Sequence, residues 1–248
     1  METKLPLMLL VLALPIQAAT LNVAAASDLL HCLPRLNADF AARHPGVVVQ
    51  FTAGASGSFF AQIKAGAPYD VFLSADTDYP QKLVEAGLAS QLSPYARGRI
   101  ALWTTRPELD PAQGLRRLAE DGRVKRFAIA NPALAPYGRA ARAALEHAGA
   151  WQAMQAKLAF GENIAQTAQY VQSGNADVGI VSYSLLKAAA NAPGGRWRLI
   201  PTDAHPPIVQ AGVIVRRSGA HPLAGDYLAG LATPKGRQLL ISCGFDLP

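Results

Sequence analysis

Leu21-Asn-Val-Ala-Ala-Ala-Ser-Asp-Leu29 reads as a strand that runs directly into the start of a helix. Leu21 to Ala26 form the strand-like half, and Leu29, Leu33, Leu36 and Phe40 then recur at helical spacing as far as Ala42. The same alternation continues along the chain. Strand-like runs at Val47–Thr52, Asp70–Ala75, Ile100–Thr105, Phe127–Ala130, around Leu158–Phe160, at Val178–Ser182 and Ile208–Val215 are separated by helical spacing. The intervening helices are expected over 58–64, 79–85, 138–148 and 165–173, with two more, near Pro222–Gly230 and Pro234–Ser242, closing the chain. This rhythm predicts an α/β fold with mainly parallel sheets, whose ligands bind beyond the carboxyl ends of the strands.

Four strand-to-helix junctions carry small or polar residues: Ala24–Asp28 (AAASD), Gly54–Ser58 (GASGS), Asn131–Gly138 (NPALAPYG) and Gly161–Thr167 (GENIAQT). A helix start exposes unpaired N–H groups and the positive end of the macrodipole, so it attracts anions. Four such starts that converge would cage a small oxyanion. Each residue also has a plainer role. Ser27 suits an ordinary N-cap. Ser56, flanked by Gly54 and Gly57, lets backbone amides crowd a bound group, but no Lys-Ser/Thr follows to make a Walker loop. Tyr137, between Pro136 and Gly138, offers either a phenol donor or a half-buried aromatic. Ile164 contributes only its backbone N–H, or packs as a staple at the helix start.

Lys4 and the apolar run Leu5–Leu14, broken by Pro15, read as an export signal over residues 1–19, with cleavage after Ala18 or Ala19. Hydrophobic residues make up 50% of the chain and aromatics 7%, which indicates a globular core built of Ala, Leu and Val rather than disorder. The net charge of +6 is dispersed, with one loose run near 116–126 that lacks interleaved aromatics, so nucleic-acid binding is not expected. Cys32 and Cys243 suit either a disulfide or two buried thiols. The five histidines follow no ligand spacing, and no direct cation site is expected. Ser56 has no histidine or paired carboxylate in a recognisable motif, which counts against a serine-dependent phosphate-ester hydrolase.

Taken together and in this order, these segments resemble the periplasmic molybdate-binding proteins of ABC importers. The resemblance extends through Ala61–Asp76 (AQIKAGAPYDVFLSAD) and Gly174–Ser184 (GNADVGIVSYS) and spans essentially the whole mature chain. It implies a two-lobed type II periplasmic binding protein, its lobes joined by two crossover strands and the ligand held between them. The lobes would be 20–99 plus 208–248, and 100–207. It further implies a monomer, no enzyme activity, no cofactor, a molybdate or tungstate ligand, and a permease partner in the inner membrane. Carried over by motif, Ser27 and Ser56 donate from the first lobe, and Tyr137 and the Ile164 N–H from the second. Ser182 and Tyr183 are weaker candidates. A carboxylate repels a dianion, so the Asp28 side chain is expected to turn away while its N–H contributes. Sulfate, phosphate or phosphonate remain the alternative ligands, and a carboxylate inside the cleft would favour a ligand that carries its own proton.

Overall fold

The apolar strand runs gather into two five-stranded sheets in the computed structural model, which describes residues 19–188 and 194–248. The export signal therefore lies outside the described residues except for Ala19, as does most of the loop expected over Asn191–Gly195. In the first part of the chain, β1 (Ala19–Ala26), α1 (Leu33–Arg43), β2 (Val47–Gly54), α2 (Ser56–Lys64), β3 (Val71–Ser74), α3 (Asp78–Glu85) and β4 (Ala89–Gly98) follow in order. The middle holds β5 (Ile100–Thr104), α4 (Gly114–Glu120), β6 (Phe127–Ala130), α5 (Pro136–His147), α6 (Trp151–Met154) and β7 (Leu158–Gly161). It continues with α7 (Ile164–Gln172), β8 (Val178–Ser182), α8 (Tyr183–Ala188) and β9 (Arg196–Leu199). The chain ends with β10 (Ile208–Val215), α9 (Ala224–Gly230) and α10 (Pro234–Ser242).

The first sheet has the order β2-β1-β3-β10-β4 and the second β7-β6-β8-β5-β9. The sheets are mixed rather than mainly parallel. β1 runs parallel to β2 and β3, and β6 to β7 and β8, but β10 is antiparallel to β3 and β4, and β5 to β8 and β9. The antiparallel strands are those that carry the chain between sheets: β4 hands over to β5 at Arg99, and β10 returns after residues 200–207. The helix expected from Leu29 begins instead at Leu33, after a 3-10 turn over Ser27–Leu29. Pro34 explains the delay, because a residue without N–H and with fixed φ fits only the first turn of a helix.

Each sheet is covered by its own helices. Leu21, Val23, Leu33, Phe40, Leu228 and Leu240 pack under the first, and Leu102, Phe127, Ile129, Leu145, Val178 and Ile180 under the second. Cys32, just before α1, and Cys243, just after α10, are joined in a disulfide that closes 211 residues of chain. No described helix is long and apolar enough to cross a membrane.

Candidate functional site

Strand register brings the junctions together. In the first sheet Ala26 of β1 pairs with Gly54 of β2, so Ser27 and Ser56 emerge side by side. In the second, Ala130 of β6 pairs with Gly161 of β7, which sets the start of α5 beside the start of α7. The two sheets face each other across these ends. Ser27, Asp28, Ser56, Ala75, Tyr137, Asn163 and Ile164 line one small cavity, with about 10 Å³ of room in this closed arrangement. That is the room of about one water molecule, far below pockets built for organic ligands. A wider, more open recess lined by Leu102, Leu115, His147 and Arg198 lies elsewhere on the second lobe and touches none of the four junctions.

The donors are positioned by named bonds. Ser56 Oγ accepts from the Ala75 N–H at 3.0 Å, which leaves the Ser56 hydroxyl proton free to donate. Ser27 Oγ donates to Asn163 Oδ1 at 3.1 Å and accepts from the Ala165 N–H at 3.2 Å, joining the two lobes. Asn163 caps α7, accepting from the Ala165 and Gln166 N–H groups, and Ile164 is the first helical residue. An N–H in that position has no carbonyl one turn back to bond. Further bonds cross the cleft: Gly57 N–H to Leu134 O at 2.9 Å, Tyr79 OH to Ala133 O at 3.4 Å, and an ion pair between Asp76 and Arg139. The lobes are closed on one another.

Asp28 departs from expectation. Its side chain does not turn away from the cavity; it is buried in the lining and reaches across to the other lobe. Asp28 Oδ2 accepts from the Tyr137 hydroxyl at 2.9 Å and from Gln210 Nε2 at 2.5 Å, while Oδ1 has no partner. Two neutral donors, one from α5 and one from β10, draw the carboxyl inward. Burial outweighs these bonds and pushes its pKa up to about 6. Between the ordinary carboxylate value and 6 the folded chain therefore binds more protons than the unfolded one. The Asp28 contribution to stability is full below about 4 and is lost as pH rises through 6. The Tyr137 proton, expected to serve the ligand, here serves Asp28.

Ser182 and Tyr183 do not line the cavity. The Ser182 hydroxyl, fully buried at the end of β8, donates to Ser184 Oγ, and Tyr183 starts α8 with its ring against Trp197. That helix is directed elsewhere because Ser184 Oγ donates to the Asp28 carbonyl, seating α8 behind the turn rather than over the cavity.

Asn163, Gln210, Gly98 and Arg139 belong to the arrangement but were not singled out from sequence. Gln210 carried a signal, as the one polar side chain in the run Ile208–Val215. At Gly98 a Cβ would collide with the Tyr137 hydroxyl, so the glycine leaves the phenol its place at the crossover. Among the described residues no group of three His, Cys, Asp or Glu side chains is placed to hold a metal ion. What the cavity offers is neutral donors at helix starts, with one buried carboxyl, Asp28, among them.

The family model for bacterial extracellular solute-binding proteins matches residues 21–246. The chain belongs to this family. The molybdate-binding protein ModA of Azotobacter vinelandii is 35% identical to this solute-binding protein over 241 residues, covering 95% of this chain and 93% of its own. The molybdate-binding protein ModA of Rhodobacter capsulatus is 34% identical, covering 94% and 91%. The solved structure of the Azotobacter vinelandii periplasmic molybdate-binding protein superposes with a TM-score of 0.85 at 34% identity, covering 92% of this chain and 99% of that one. The two-lobed binding-protein architecture is thus the fold of this chain, and its relatives are binding proteins rather than enzymes.

Proposed function

We propose that this protein captures molybdate, and tungstate with it, outside the cytoplasm and delivers it to the permease of an ABC importer. The observation that carries the reading is the small cavity formed where helix starts from both sheets meet without a lysine or arginine in its lining. The molybdate-binding relatives point the same way. The lobes are 20–99 plus 208–248 and 100–207, and one chain carries one site as a monomer. An export signal ending at Ala18 or Ala19 places the mature protein in the periplasm.

The proposed donors are the hydroxyl and N–H of Ser56, the N–H of Ser27 and its hydroxyl once that proton turns from Asn163 Oδ1, the Tyr137 hydroxyl, and the N–H groups of Ile164 and Asp28. A buried dianion loses its water, and each hydrogen bond to a charged acceptor is worth about 1.5–3 kcal/mol, so several fixed donors hold it tightly. Longer metal–oxygen bonds make molybdate and tungstate larger than sulfate, the difference in size by which a shaped cavity tells them apart. The inward Asp28 carboxyl favours a second reading, a ligand such as hydrogen phosphate that brings its own proton.

Ile164→Pro tests the donor assignment cleanly. Proline is accommodated at the first helical position, and Asn163 already has the extended backbone (φ −139°, ψ 175°) that precedes proline. The N–H is removed together with the buried Ile164 side chain, so Ile164→Ala, which keeps the N–H, is the control. Molybdate affinity should fall roughly 10- to 100-fold below that of Ile164→Ala, the loss of one bond to a charged acceptor. Unchanged affinity in calorimetry removes Ile164 from the site.

A further inference from the structure

The Asp28 carboxyl poses an electrostatic problem that the donor set does not solve. It is buried at the edge of the cavity, in contact with Tyr137 and Gln210, and one of its oxygens is bare. The groups facing it from every packed element are neutral. Tyr137 on α5 and Tyr95 on β4 are held protonated by burial, which raises both phenols far above their ordinary values. Gln210 lies on β10, Asn163 and Ile164 at the start of α7, and Ser184 on α8. Asp76, the next carboxylate, is paired with Arg139. Among the described residues no lysine, arginine or histidine contacts the Asp28 carboxyl. A dianion entering this space meets an uncompensated negative charge, and like charges in a partly dry site repel more strongly than in water.

Counting protons sharpens the conflict. A phenol has one. While Asp28 is ionised, the Tyr137 proton points to Asp28 Oδ2, and Gln210 Nε2 lies within 3.1 Å of the same phenol oxygen. Tyr137 then has nothing to offer an anion.

We propose that each oxyanion enters together with one proton, taken from solvent and bound to Asp28 Oδ2, and that this turns Tyr137 toward the ligand. The neutral carboxyl now donates Oδ2–H to the Tyr137 oxygen, and the Tyr137 hydroxyl rotates to donate to the anion. One O–H bond forms at Asp28, one hydrogen bond reverses direction, and the repulsive charge is gone. Asp28 is thus a specificity-determining residue that acts through Tyr137. The pKa of about 6 in the free protein means that the carboxyl is mostly ionised at pH 8, so the proton must be acquired on binding. The inference rests on the oxyanion reading given above.

Calorimetry with sodium molybdate on the mature protein tests it, run at pH 8 in two buffers of different ionisation enthalpy. The wild type should take up about one proton per anion, and its Kd should rise roughly tenfold per pH unit between 7 and 8.5, as linkage requires for one proton. Asp28→Asn keeps the size and an oxygen acceptor, so it should bind with no proton uptake and a flat pH profile. Tight molybdate binding by the wild type without proton uptake overturns the proposal and leaves the ligand assignment intact. So does an uptake that persists in Asp28→Asn. Tight binding of phosphate in place of molybdate, without exchange with buffer, overturns it in favour of a proton-bearing ligand. Absence of heat with molybdate, tungstate, sulfate and phosphate alike overturns the oxyanion reading, and the proposal with it.

Discussion

Gly57→Val is expected to weaken molybdate binding by roughly 100-fold or more while leaving the free protein folded. Gly57 opens α2 beside Ser56, and its N–H bonds Leu134 O of the opposite lobe at 2.9 Å. A Cβ at this position would sit 2.9 Å from that oxygen and 2.7 Å from the Tyr79 hydroxyl, and backbone cannot yield as a flexible side chain does. The branched side chain therefore wedges the cleft. A cleft that does not shut loses the donors of one lobe. Two bonds to the anion at about 1.5–3 kcal/mol each amount to two or more factors of ten. The cores under the two sheets are untouched, so the melting temperature without ligand should move by only a few degrees. Calorimetric affinity within about threefold of wild type would show that closure at Gly57 is not needed for capture.

The second large effect concerns the disulfide. Cys32 and Cys243 tie the start of α1 to the end of α10, and the loop they close spans 211 residues. On the chain-entropy account a loop of this length restricts the unfolded state by about 5 kcal/mol, and loss of a native disulfide commonly costs about 2–5 kcal/mol. At roughly 2–4 °C per kcal/mol for a chain of this size, reduction should lower the melting temperature by about 10 °C. Cys32→Ala with Cys243→Ala should show the same drop and no further response to reductant. Because neither cysteine lines the cavity, anion affinity at 25 °C should be unchanged. A melting temperature indifferent to reductant would mean that the bond constrains nothing that the fold does not already hold.

The legible part of this molecule was local. Ser27, Ser56, Tyr137 and Ile164 each sit within a few residues of a strand end and a helix start, and hydrophobic spacing alone locates such junctions. The two closing helices were legible for the same reason. What escaped was set by partners distant in sequence. The inward turn of Asp28 depends on Gln210, 182 residues away, and on Tyr137, 109 residues away. The antiparallel strands β5 and β10 carry the same apolar residues that a parallel strand would, so composition does not reveal their direction, and β4 (ASQLSPYARG) is too polar to read as a strand at all. Ser182 and Tyr183 were drawn toward the site by position in a motif, and the bond from Ser184 to the Asp28 carbonyl shows why α8 lies elsewhere. The pairing of Cys32 with Cys243 needed α1 and α10 to be neighbours, which no local pattern states.

The most direct test of the central claim is the melting temperature of the mature protein in molybdate, tungstate, sulfate and phosphate at equal concentration. At about a thousand-fold excess over Kd a ligand adds about 4 kcal/mol, which corresponds to roughly 10 °C here. The account predicts a shift of that size with molybdate and tungstate and almost none with sulfate or phosphate. A shift with sulfate or phosphate alone would contradict it.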